Sequence, residues 1–551
     1  MKRILFLIVC GFILTACTVI PIQQGLPTGT TATMQGEPSR TPFEPQAATA
    51  TAVSTPTSVP VISVSLPESI PPKLADQIKL PDGMQWTQAE TDASLILTPA
   101  AGSVPGGAVW VYTLVAPFPT VLDEVTSNDL QAMWRGEEPS GLEGFRLFVS
   151  SPVRATLTAL WGEPGGSRVQ VEDGSLVEAA WANQPVLAIV PFEDLEPRWK
   201  VLRLDGQSPI SKTFDPAAYP LTVTYAWQSA AQMDQLPVLP AGNRDPGKMT
   251  VITMTGVTAL VRATGAMMDL YGVTFPGKDI RDWMLEADFT HVSNEVSFDP
   301  TCPKQDPNAQ VLRFCSQPKY IELLDDVGVD IVELTGNHLM DWRQEGLPYT
   351  MELYRQRGWI TFGGGNNLEE ARQPALFEHN GNRFALIGCN PAGPGGDWAG
   401  EGNPGSAPCD WDWMKEQIRQ LSSQGYLVIA TLQYYETYVP KPSAQQVADF
   451  ESLSEAGAVI VNGSQAHFPQ GFEFYNGRFI HYGLGNLFFD QMDYPVVGTR
   501  REFLDRNVFY NGRHISTELL TALLENYAKP RPMTPDERST FLQDLFIASG
   551  W

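Results

Sequence analysis

The sequence predicts an α/β protein: two α/β units in series behind an exported, tethered leader. Three observations carry this. From about residue 62 to 527, short apolar runs of strand length alternate with helical segments. The later runs lead into loops rich in Asn, His, Gly and Gln, the place where open α/β sheets hold ligands. And 551 residues exceed what one hydrophobic core organises, so two or three folded units with linkers are expected. Charge then removes whole classes. Lys and Arg number 37 against 62 Asp and Glu, a net charge of −25, so nucleic acid is excluded as a partner for want of cations to displace counterions. A hydrophobic fraction of 43% with 14 Trp excludes wholesale disorder.

The first seventeen residues set the compartment. Lys2 and Arg3 precede an apolar run over 4–14, too short to span a bilayer but of signal-peptide length. It ends in Leu14-Thr15-Ala16-Cys17, which resembles a bacterial lipobox with Cys17 as the lipidated residue. The alternative is an ordinary secretory signal with an incidental Cys. The expectation is a lipoprotein tethered on the extracytoplasmic side of a bacterial membrane, since no later segment is apolar for long enough to span. Residues 18–61 are rich in Thr, Pro, Ala, Gln and Ser, with Glu37, Arg40 and Glu44 their only charges. Such a segment has nothing to bury and is expected to be a disordered stalk.

The first folded unit is expected over 62–245. Runs at 93–98, 108–115 and 186–191 read as strands, and Ser127 reads as the N-cap of a helix over 128–135. Short pieces at 118–136 and 189–206 resemble phosphate-type periplasmic solute-binding domains, although any extracytoplasmic α/β domain carries similar patterning. The second unit, 246–527, offers strands at 251–256, 289–293, 331–335, 384–388, 427–432, 458–461 and 479–482. Helices are expected between them, at 318–327, 347–357 and 443–456. A C-terminal tail, 528–551, carries Pro530 and Pro532 and then a short helix over 535–547.

Of six cysteines, Cys10 leaves with the leader and Cys17 takes lipid. The remaining four are an even set in an oxidising compartment, and spacing favours Cys302 with Cys315 and Cys389 with Cys409. Free buried thiols are the alternative. A four-thiolate metal site is disfavoured because no C-x-x-C pair is present.

The chemistry lies in five ordered motifs. They are Ser293-Asn294-Glu295, then Leu334-Thr335-Gly336-Asn337-His338-Leu339-Met340-Asp341, then Gly363-Gly364-Gly365 leading to Glu370-Ala371-Arg372. Gly463-Ser464-Gln465-Ala466-His467 and Tyr482-Gly483-Leu484-Gly485-Asn486 follow, ending at Asp490. Their order and spacing over roughly 200 residues resemble the CapA/PgsA capsule-synthesis family, whose fold is that of calcineurin-like metallophosphoesterases. The resemblance implies a four-layer α/β/β/α domain preceded by a smaller α/β domain. It implies involvement in making, anchoring or retaining an extracellular polymer such as poly-γ-glutamate or a polysaccharide. On that template Asn337 and His467 are metal ligands, His338 is a general acid and Asp341 orients it.

The sequence departs from the template where ligands are expected. Val257 stands where the first strand normally delivers Asp. Gln433 and Gln465 stand where His is normal. Amides are poor ligands for a zinc or manganese pair, so no normal dinuclear centre is expected. The only cofactor left open is a single weakly held divalent ion, with Asn337 and His467 as candidates. What remains resembles a hydrogen-bonding cleft: Asn294, Asn337, Gln433, Gln465, His467 and Asn486 for substrate, and Glu295, His338 and Asp341 for any catalysis. Taken singly, Asp341 and Asn486 also read as turn or capping residues, and His291, His379, His481 and His514 read as structural. The expected partners are the polymer or its precursor, the membrane through the lipid, and other capsule-synthesis proteins. Two other readings stay open: an active hydrolase using one metal or a Glu295–His338 acid/base pair, and a solute-binding module in the first unit.

Overall fold

Strands buried on both faces read as continuous apolar or β-branched runs. Met249–Thr255 (β1) does so, with every residue buried. It pairs in parallel with Phe289–Asn294 (β2), which pairs with Val329–Glu333 (β3) and that with Ile360–Phe362. The computed structural model describes residues 61–551 apart from 101, 103, 230–232, 234 and 310. The leader, Cys17 and nearly all of the expected stalk lie outside the described residues.

A second sheet repeats the parallel pattern. Asn382–Cys389 (β4), Leu427–Gln433 (β5), Ile460–Ser464 (β6) and Arg478–His481 (β7) run side by side in parallel. Ile252, Met254, Ile331 and Phe362 of the first sheet pack against Phe384, Leu386, Ile429 and Phe479 of the second. On its outer face the first sheet buries Val292 and Val332 beneath helical Met268, Leu323, Leu324 and Tyr354. The outer face of the second buries Ile387, Val428 and Val461 beneath Met414, Ile418, Phe450 and Leu453. The layers therefore run α/β/β/α, as the motifs imply. Each fully buried Leu, Ile or Phe contributes about 1.5–3 kcal/mol on transfer alone, so the two apolar faces of each sheet hold the stack.

Helix ends follow capping chemistry. Asp410 caps Trp411–Ser423 through Trp413 N at 3.2 Å, and Ser443 caps Ala444–Ala456 through Gln446 N at 3.1 Å. In the first unit the cap is Thr126, not the expected Ser127. Thr126 Oγ1 accepts from Asp129 N at 3.1 Å, and Ser127 is the first helical residue.

The first unit builds a mixed sheet in which Thr222–Ser229 and Ala108–Pro117 lie between Leu95–Ala100 and Val186–Pro191. Its core continues into Met249, Val251, Val508 and Ile515 of the second unit. Arg538 grips Asp123 with two bonds, at 2.7 and 2.9 Å. Pro60–Trp551 accordingly form one compact unit.

The sequence reading named no strands after residue 482, yet two long ones follow. Arg501–Tyr510 (β8) and Arg513–Glu525 (β9) form a hairpin that completes the first sheet, with β8 antiparallel to β1. Lys529–Pro532 adds to its edge, and Pro535–Ala548 buries Phe541, Leu542, Leu545 and Phe546 between the sheets.

Disulfides join Cys302 to Cys315 and Cys389 to Cys409, with Cα–Cα distances of 5.7 and 5.0 Å. Closing loops of 13 and 20 residues contributes on the order of 3 kcal/mol each. We expect Cys302→Ser with Cys315→Ser to lower stability by about that amount, read by chemical denaturation under oxidising conditions. Unchanged stability, or free thiols found by alkylation of the native protein, contradicts the prediction.

Candidate functional site

Parallel strands deliver their C-terminal ends to one edge, and the site is built there. Glu295 follows β2, Asn337 and His338 follow β3, Gln433 closes β5 and Gln465 follows β6. Gly336 permits the approach: a Cβ there would lie 2.4 Å from Glu295 Cα. Gln465 holds φ at +70°, a conformation rare for a residue with a side chain, and it turns the chain into the cleft.

Gln433 is the hub. Its side chain is fully buried, and Nε2 donates to Glu295 Oε2 at 3.2 Å, to Asn337 Oδ1 at 3.1 Å and to Gln465 Oε1. Its Oε1 accepts from Ser464 Oγ at 2.8 Å. Behind it lies a layer that the sequence reading missed. Glu333 accepts from Thr335 Oγ1 and lies 3.3 Å from His291 Nε2, both residues 2% exposed. The available signal was a carboxylate inside an apolar strand, Val329–Glu333.

His338 forms the second group. Its Nδ1 lies 2.8 Å from Asp341 Oδ2, which also accepts from Phe314 N at 2.9 Å. Asp341 makes this contact from a turn rather than a helix. Asp397, which sequence reasoning did not single out, accepts from Met340 N at 2.8 Å and is 3% exposed. Burial pushes its carboxyl up to about 6, helped by the neighbouring Asp341 charge and opposed by the Met340 N–H and His338. For His338 burial acts downward, but the Asp341 hydrogen bond and the charges of Glu295, Asp341 and Asp397 outweigh it, so its pKa lies above the ordinary imidazole value. A raised folded value means that the pair contributes stability fully below the ordinary value near 6.5 and loses it as pH rises through the folded value. Asp341→Asn should therefore move the His338 midpoint to lower pH, measured by NMR titration of the imidazole. An unmoved midpoint contradicts the pairing.

His467 forms the third group. Its Nδ1 lies 2.8 Å from Asn486 Oδ1, and Asn486 Nδ2 donates to His467 O and Thr499 O at 3.3 and 3.1 Å. Phe489 stacks on the His467 ring at 5.0 Å. Arg262, another residue missed from sequence, joins this group to the second. Its guanidinium lies 5.2 Å from the rings of both Phe489 and Phe314, and Phe314 contacts His338 at 4.7 Å. Asp490 neutralises Arg262 through two bonds and also accepts from Ala263 N at 3.0 Å. Asn294 is not brought to the cluster. It is fully buried on the helical side, donating to Val296 O and Tyr354 Oη at 2.9 and 2.8 Å.

The donor set does not fit a metal pair. One carboxylate and three amides converge, and the Gln433 amide nitrogen occupies the point where their oxygens meet. Val257 is fully buried and offers no donor atom. Among the described residues no group of three or more His, Cys, Asp or Glu is placed to hold a metal. The Nδ1 atoms of His338 and His467 already face Asp341 and Asn486. The arrangement can bind hydroxyl and amide groups, and it places a protonatable imidazole at the mouth.

Residues 238–491 match the family model described as bacterial capsule synthesis protein PGA_cap. Every site residue named above from Arg262 to Asp490 falls inside that span. The capsule biosynthesis protein CapA of Bacillus anthracis is 25% identical over 307 residues, covering 54% of this chain and 72% of that protein. The PGA biosynthesis protein CapA of Bacillus subtilis strain 168 is 27% identical over 172 residues, covering 31% of this chain and 45% of that one. The chain thus spans less than half the length of this second relative. Among solved structures, the 5′-nucleotidase precursor of Thermus thermophilus is 12% identical with a TM-score of 0.32, over 55% of this chain and 58% of that one.

Proposed function

Residues 238–491 belong to the bacterial capsule synthesis family, and from that premise we propose that this protein is a lipid-tethered envelope lipoprotein of the CapA type. It acts in the synthesis, anchoring or retention of an extracellular polymer, with the synthesis machinery for that polymer as its working partner. The polymer is bound in the polar cleft, without a dinuclear metal centre. One observation supports this above the others: Gln433 ties Glu295, Asn337 and Gln465 into one buried hydrogen-bonded cluster where a metal pair would need anionic oxygen and imidazole. Polar groups fixed in this way present a set geometry to hydroxyls and amides.

The test is polymer binding by the purified full-length protein, with Asn337→Ala and His338→Ala expected to weaken it. Retention of a capsular polymer that neither substitution disturbs defeats this reading of the cleft. The tether has its own test. Cys17→Ser should release the protein into the soluble fraction or leave it unprocessed, and a mutant still fractionating as a processed membrane lipoprotein defeats the anchor.

A further inference from the structure

The segment 241–245, which joins the two units, runs beside Ala108–Pro117 and is bonded to it. Val109 N donates to Ala241 O at 2.9 Å, and the Asn243 amide brackets the Val111 backbone at 2.8 and 2.9 Å. The hydroxyl of Tyr510, the last residue of β8, accepts from Asp245 N at 2.9 Å. These fixed pieces wall a cleft of about 670 Å³ at the seam, with Val109, Val111, Phe214, Pro216 and Tyr510 as its apolar side. That is the size of a small-molecule site. Lys248 lines it just ahead of β1, whereas the amide cluster lies at the far, C-terminal ends of the parallel strands.

Arg244 is the anomaly in this cleft. Its Nε and Nη2 donate to Pro209 O and Ser211 O at 2.7 and 2.9 Å. Its guanidinium lies 4.7 Å from the Phe214 ring and 5.7 Å from that of Phe192. Nη1 makes no hydrogen bond and is not sealed from solvent. Among the described residues, no Asp or Glu pairs with Arg244 or with the exposed Lys248. Burial holds the Arg244 pKa below the ordinary guanidinium value, with Tyr510 acting the other way. A half-buried cation without a counter-ion is costly to keep, and an anion at its open edge removes that cost. The neighbouring charges are engaged. Asp288 holds Lys212 at 2.7 Å, and Asp215, between two lining residues, accepts from Ala217 N at 2.9 Å. Asp245 accepts from Gly247 N at 2.9 Å and is the one carboxylate among the lining residues. Arg244 and Lys248 against Asp245 leave a single net positive charge.

We propose that this seam cleft binds a small organic monoanion, a carboxylate carried on an apolar body of single-ring size. The carboxylate meets the open edge of Arg244 and the Lys248 ammonium, and the body packs on Val109, Val111, Phe214 and Pro216. A guanidinium already oriented by two carbonyls and a ring loses little freedom when it receives a carboxylate. A single net charge suits a carboxylate better than a doubly charged phosphate monoester. The site stands apart from the amide cluster, and neither depends on the other.

The experiment is isothermal titration calorimetry of the full-length protein, with the same detergent in cell and syringe. The probes are phenylacetate, phenylacetamide, acetate and phenyl phosphate. Saturable binding of phenylacetate is expected, with phenylacetamide and acetate each weaker by about tenfold or more. Arg244→Gln should weaken phenylacetate about tenfold and Lys248→Gln about threefold. Asp245→Asn keeps an acceptor for Gly247 N but removes the opposing charge. It should tighten binding about threefold, a gain that a misfolded variant does not produce. Tighter binding of phenyl phosphate than of phenylacetate overturns the carboxylate class. Equal binding of phenylacetamide overturns the anion. Saturable binding of none of the probes, or binding indifferent to all three substitutions, overturns the site.

Discussion

Gln433→Leu is expected to cost the fold about 3–5 kcal/mol, more than any other single substitution in the cleft. Leu fills much the same volume but takes the donor away from Glu295, Asn337 and Gln465 and the acceptor away from Ser464. Each buried group left unsatisfied costs about 1–3 kcal/mol, and the Glu295 carboxylate, 1% exposed, stands at the high end. Gln433→Glu is the informative partner. It keeps the shape but sets a second carboxylate against Glu295, and two close carboxylates cannot both ionise cheaply. The folded pKa of that pair is raised above the unfolded value near 4.3, so destabilisation should be slight at pH 4 and grow as pH rises toward the folded value. Denaturant titrations of both variants at pH 4 and pH 8 decide the matter. A Leu variant as stable as wild type, or a Glu variant indifferent to pH, removes Gln433 from the centre of the site.

The α/β/β/α layers were legible because parallel strands buried on both faces write themselves as apolar runs, and seven such runs stood in the second unit. The β8–β9 hairpin was not, although Asn511-Gly512 marks its turn, with φ of +50° and +76°. Its strands carry Arg501, Glu502, Asp505 and Arg506 among apolar residues, which masks the alternation. Asp505 is tolerated there because His481 Nδ1 reaches it at 2.6 Å across the core, a partnership between residues 24 apart that no local pattern reveals. The cleft divides in the same way. Glu295, Asn337, Gln433 and Gln465 lie at strand ends, where sequence order alone suggests convergence. Arg262, which opens a helix, and Asp397, on a loop, act on that cleft from positions distant in sequence, so their roles depend on folding that periodicity cannot express. Asn294 shows the opposite error: it ends its strand beside Glu295, but the alternation of side chains along an extended chain turns it to the other face.

Restoring the missing ligands should convert the cleft into a metal site. Wild-type protein is expected to hold substoichiometric metal after dialysis and to show negligible phosphodiesterase activity with manganese, zinc or magnesium. The triple variant Val257→Asp, Gln433→His, Gln465→His replaces an apolar group and two amides with donors suited to those ions. The backbone is ready for it. Val257 is fixed by bonds from its N to Gly485 O at 3.0 Å and from Leu487 N to its O at 2.6 Å. Position 465 already holds φ at +70°, a region in which His is enriched among residues with side chains. Without metal the variant buries an unpaired Asp and should be less stable than wild type. With metal at a thousand times its dissociation constant, about 4 kcal/mol should return. The measurement is thus a thermal shift on adding zinc or manganese, beside metal content after dialysis. A folded triple variant that neither shifts nor retains metal shows that more than the ligands has been lost. Two tightly held ions in the wild-type chain, with turnover that chelation abolishes, make the hydrolase reading correct and the amide cleft wrong.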